Sequence, residues 1–169
     1  MPTLNDFPEL VDAGFSLTWV RSYEPEEVER TIQMQAAARN WIVYAWDCAR
    51  GVRELKTGQI VRSDAPTPAM GIAATPWRER GSPETPVILL LHNLHRFADL
   101  PPVAQAIQIE ALRARRERRF LVAVSPITRV PAELEKITTI LEHPLPDTQE
   151  LYAIADGLMP DSPAPWATS

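Results

Sequence analysis

The chain has 169 residues, 45% of them hydrophobic and 23% charged, the size and composition of one globular domain with a core rather than of a disordered tail. Its formal net charge of -5 and pI near 5.2 give no global positive field to hold a phosphate backbone, so nucleic acid is not expected as a partner. The single Cys48 cannot form an internal disulfide, MPTLNDFPEL lacks the blocks of a signal peptide, and no apolar run reaches the roughly 20 residues of a membrane helix. A cytoplasmic protein without a membrane anchor is therefore expected.

In chain order, Leu4, Phe7, Leu10 and Val11 recur at helical spacing over residues 4–12, closed by Gly14. FSLTWVRS, residues 15–22, reads as a strand. YEPEEVERTIQMQAAARN follows as a helix: Pro25 suits its first turn, glutamates crowd its start, and Val28, Ile32 and Ala36 form a stripe. WIVYAWD, residues 41–47, is β-branched and aromatic and predicts a second strand, with Trp19, Trp41 and Trp46 as core residues. Gly51, Gly58, Gly71, Gly81 and several prolines break up residues 48–85, where only a short helix between Pro68 and Arg80 is legible.

PVILLLHNLHRF, residues 86–97, begins as a third strand and ends in a polar patch. A helix starting at Pro101 finishes in the arginine cluster 113–119. FLVAVSP predicts a fourth strand and ITTILEH a fifth. DTQELYAIADGL predicts a closing helix with Asp147 as N-cap, followed by a Pro-rich tail. Strands that are apolar throughout, each followed by a helix-sized segment, imply a three-layer α/β fold around a mostly parallel five-stranded sheet. Ligands of such sheets gather at the carboxyl ends of the strands.

The order of elements, the apolar strand ending at His92-Asn93, the strand ending in Ser125-Pro126 and the segment PAELEKITTILEHPLPDTQEL resemble the core of an AAA+ ATPase, a P-loop NTPase fold. More narrowly, TWVRSYEPEE, LLHNLHRF and VSPITRVPAELEKITTILEHPLPD are similar to the N-terminal, degenerate RecA-like domain of the AAA ATPases related to the open-reading-frame ATPase of chloroplasts and cyanobacteria. The resemblance covers roughly residues 15–157 and implies the strand order 5-1-4-3-2 and a sensor-like position at Ser125; one such domain is expected over 1–157, with the Pro-rich tail over 158–169. It also implies an AAA+ ATPase module or another protein as partner, or a homo-oligomer.

The chain departs from that pattern wherever the chemistry needs it. No G-x-x-x-x-G-K-[ST] loop occurs to surround phosphates with backbone N–H groups. In its place RSYEPEE puts Pro25, which lacks an N–H, and Glu24, Glu26 and Glu27 at the helix start. At the third strand's end His92 and Asn93 replace the Asp and Glu that would hold magnesium and polarise water. His92 and His95 could share a metal, but no third ligand is near in sequence, so structural histidines are expected, with Asn93 and His95 capping the loop.

Arg113, Arg115, Arg116, Arg118 and Arg119, with Arg129, form a candidate interaction patch, although the cluster reads more simply as a solvated helix end. Glu133 and Glu135, two apart, would diverge on a helix and do not suggest acid-base catalysis. No catalytic residue, metal or cofactor is expected, and the reading is a binding or assembly module that has lost nucleotide chemistry. The alternative is an ATP-binding or ATP-hydrolysing protein whose site a neighbouring subunit completes, through Arg129 or an arginine of the cluster.

Overall fold

The computed structural model describes residues 1–77 and 85–143, together with Ala155. The helix expected over 147–158 with its Asp147 cap, the PLPDTQEL segment, the tail 158–169, and the part of the expected 68–80 helix beyond Trp77 lie outside the described residues, Ala155 apart.

Helices α1 (Phe7–Ala13), α2 (Pro25–Arg39), α3 (Pro68–Ala74) and α4 (Pro101–Glu117) surround strands β1 (Leu17–Arg21), β2 (Ile42–Asp47), β3 (Gly51–Glu54), β4 (Ile60–Arg62), β5 (Val87–His92), β6 (Arg119–Ser125) and β7 (Thr138–Glu142). The strands form one sheet in the order β4-β3-β2-β5-β6-β1-β7. Pairs β1–β6, β1–β7, β2–β5 and β5–β6 are parallel; β2–β3 and β3–β4 are antiparallel. The expectation of five strands is corrected in count: the sheet has seven, and it is mixed because the added β3 and β4 run antiparallel beside the five parallel strands.

The two added strands come from the segment that carries no legible pattern. Gly51, at φ 76°, closes the turn after β2, and Gly58, at φ 73°, turns β3 into β4, with Glu54 N–H donating to the Gln59 carbonyl at 2.9 Å. β3 and β4 are four and three residues long, too short to show a period of two in the sequence.

Alternation along the strands fills both faces. Val20, Val43, Ala45, Ile88, Leu90, Val122 and Val124 pack with Phe7 and Val11 of α1 and Val28, Ile32 and Ala36 of α2. Trp19, Tyr44, Trp46, Leu89, Leu91 and Ala123 pack with Ile72 of α3 and Val103 and Ile107 of α4. Helices on both faces of the sheet make three layers, and burial on both sides is why the central strands are unbroken apolar runs. Trp19, Trp41 and Trp46 are all buried, as expected, although Trp41 lies just before β2.

α1 follows a short 3-10 turn, Leu4–Asp6, and ends at Gly14 in the left-handed region (φ 80°), where a side chain would be strained. α2 starts at Pro25, whose missing N–H is no loss at a first turn. ELEK lies in a 3-10 turn, Ala132–Ile137, that buries Leu134 and leaves Glu133 and Glu135 exposed.

Candidate functional site

Parallel pairing brings the carboxyl ends of five strands to one rim. Arg21 sits level with Ser125 and with Glu142, and His92 with Val124. On this rim the end of β2, the end of β5 and the start of α2 border a cleft of about 400 Å³, lined by Glu26, Glu29, Asp47, Arg50, Arg53 and His92 among others.

Its centre is a charged network built from three elements. His92 continues the Ile88–Leu90 face of β5, and Arg53 is aligned with Ala45 on the same side of the sheet, the side that α2 covers. Glu29, next to buried Val28 on α2, comes down over both. His92 Nε2 lies 2.6 Å from Glu29 Oε1, and Arg53 Nη2 pairs with the same oxygen. The side chains of His92, Arg53 and Glu29 are 9%, 13% and 18% exposed.

Burial by itself would raise the Glu29 carboxyl, but the bonds and charges of His92 and Arg53 outweigh it and hold the group below its ordinary value. An ionised carboxylate only accepts, so Nε2 of His92 carries the proton in this contact. Beside it, Asp47 accepts the N–H groups of Ala49 and Arg50 at 3.0 and 2.7 Å and pairs with Arg50 Nε at 2.6 Å, fixing the β2–β3 turn. Burial works against this carboxylate too, and the Arg50 and Ala49 bonds lower its pKa.

The other expected positions fall as follows. Asn93 shapes the turn through its backbone, at φ 56° with its N–H donating to the Val124 carbonyl at 2.8 Å; its side chain makes no cap bond. His95 caps nothing with Nδ1, which is buried without a hydrogen-bond partner; burial first, then Arg96 and Arg129, holds its pKa down. Asn93 is thus the N-cap residue of the turn after β5, as expected, but through its backbone and not its side chain, and His95 makes no cap bond through Nδ1. His92 bonds to Glu29, and among the described residues no group of three or more metal-ligating side chains gathers.

Ser125 is 1% exposed and fully engaged: its Oγ accepts the Trp19 indole N–H at 2.7 Å and donates to the Ile127 carbonyl at 2.6 Å. Its one hydroxyl proton is thus committed within the protein. On the far side of β1 a second hollow of about 380 Å³ contains Ser22, whose Oγ accepts the Glu24 N–H at 2.9 Å and lies 2.7 Å from His143 Nδ1.

Among the cluster's arginines whose side chains are described, Arg119 and Arg118 turn inward. Arg119 is 6% exposed in β6, pairs with buried Glu110 and with Glu117, and stacks over Trp77. Arg118, in the left-handed C-cap of α4, donates to the Val11 carbonyl and covers Phe120. Arg113 and Arg116 are exposed on α4, and Arg129 pairs with Asp99 at 3.2 Å elsewhere on the surface. The reading of the cluster as a solvated helix end thus fails for Arg119 and Arg118. Burial pushes the Glu110 carboxyl up, against the pull of Arg119 and Arg113.

Sequence reasoning missed Glu29, Arg53 and Asp47. Glu29 has the pattern of any surface glutamate on a helix, and Arg53 lies in a strand with no legible period. Among the described residues no helix is long and apolar enough to cross a membrane.

Comparison with known proteins follows the same outline. Two relatives named as uncharacterized AAA domain-containing protein ycf46 align over 154 residues: that of Guillardia theta is 26% identical over 89% of this chain, and that of Trieres chinensis 23% identical over 88%. The chain spans less than a third of their length, 29% and 30%. A chain from the structure of Drosophila ORC bound to DNA superimposes with a TM-score of 0.45 at 16% identity, covering 88% of this chain and 93% of that one. The model of the SpoVK-like AAA ATPase N-terminal domain matches residues 3–143, and the chain belongs to that family.

Proposed function

We propose that this AAA+-related domain is a binding and assembly module without nucleotide chemistry, one that positions an ATPase module or recruits a protein partner to it. The observation that carries the reading is the Glu29–Arg53–His92 network. It stands between the start of α2 and the end of β5, where a working site needs a phosphate loop and a magnesium-holding carboxylate. The cations that could meet phosphate, Arg53 and Arg50, are already paired with Glu29 and Asp47. Pro25 and the glutamates 24, 26 and 27 further turn the helix start against an anion.

The test is to mix the purified domain with the AAA module of a ycf46-type relative and measure association and melting temperature, with and without ATP and magnesium. A complex whose formation does not require nucleotide is the expected result, with no rise in the melting temperature of the isolated domain on adding ATP. A rise of several degrees with ATP alone would favour a site completed by a second subunit. A parallel titration with duplex DNA tests nucleic acid as a partner in the same format.

A further inference from the structure

We infer that Arg53 and His92 form an oxyanion cradle on the rim, and that the domain's own Glu29 carboxylate occupies it as an internal plug. Three features support this. The two basic side chains come from different strands, β3 and β5, yet converge on a single oxygen, Oε1 of Glu29. Both are largely buried, and the permanent charge of the Arg53 guanidinium is tolerated there only with an anion beside it. The cradle also has a spare donor, since Arg53 Nε is buried without a hydrogen-bond partner. The cleft beside it is open to solvent and large enough for a small oxyanion, at about 400 Å³.

The arrangement has the geometry of a charge-assisted oxyanion site, two donors on one oxygen, with the ligand supplied in cis. A carboxylate tethered to α2 is present at high effective concentration, so a free oxyanion competes poorly while α2 stays docked. Movement or removal of Glu29 would expose the cradle to phosphate or carboxylate groups. The inference rests on the same network as the proposed function, but it is separable from it: micromolar ATP binding by the wild type would end that function and leave the comparison of variants below intact.

The experiment is calorimetry with inorganic phosphate, and separately with acetate, on the wild type and on Glu29→Ala, Glu29→Gln and Glu29→Ala/Arg53→Ala, all at one ionic strength set with chloride. Glu29→Ala is expected to bind phosphate or acetate at least about tenfold more tightly than the wild type. The Arg53→Ala substitution should reverse that gain, and comparison of the two anions tells whether the cradle prefers a tetrahedral or a planar group. Should Glu29→Ala fold poorly, the near-isosteric Glu29→Gln keeps the packing, and a melting temperature raised by phosphate but not by chloride gives the same readout. No gain in either variant, or a gain that survives loss of Arg53, would overturn the inference.

Discussion

At the residue scale, His92 and Ser125 end two neighbouring strands at the rim, and each is bound into the protein. Ser125→Ala would strand the buried Trp19 N–H and the Ile127 carbonyl, so a loss of about 1–3 kcal/mol in denaturant unfolding is expected. His92→Asp with Asn93→Glu puts an Asp-Glu pair at the end of β5, yet it sets a second carboxylate against Glu29 and leaves Arg53 as the only base in the network. That double variant should lose about 2 kcal/mol or more of stability and gain no ATP hydrolysis.

The sign of the Glu29 contribution follows from its lowered pKa. Its stabilisation is fully present above the ordinary value of 4.5 and is lost as pH falls through the lower folded value. The stability difference between wild type and Glu29→Gln should therefore shrink as pH falls below about 5. A difference that instead grew below that pH would contradict the assignment. His92 was legible because it ends an apolar run. Glu29 and Arg53 were not, because a contact between residues 29, 53 and 92 is a property of the sheet order and has no local signature.

At the scale of elements, what the sequence displays depends on burial. β1, β2, β5 and β6 are covered on both faces, so they are written as apolar runs and could be placed within a residue or two. β3 and β4 are a short edge hairpin with every residue of β4 exposed, and nothing in their composition sets them apart from a loop. Their stability should depend on the turns. Gly51 combines φ 76° with a backbone approach by Arg62 and Ser63 that leaves no room for a Cβ. Gly51→Ala is expected to cost about 1–3 kcal/mol and to raise amide exchange in β3 and β4 before the central strands. Since Arg53 rides on β3, the same substitution should also loosen the Glu29 network, seen as a shift of the His92 ring signals in NMR.

At the scale of the whole molecule, the chain keeps the α/β frame of its family and puts an internal ion network on the rim where such frames usually hold ligands. The proposed reading rests on the absence of a phosphate loop from the sequence, the glutamates at the start of α2 and the pairing of the cleft's Arg53 and Arg50 with Glu29 and Asp47. The most direct test is calorimetric titration of the wild-type domain with ATP and magnesium. The account expects a dissociation constant no better than about 1 mM, equivalent to some 4 kcal/mol, with no turnover. A micromolar constant, or a turnover abolished by His92→Ala, would contradict it.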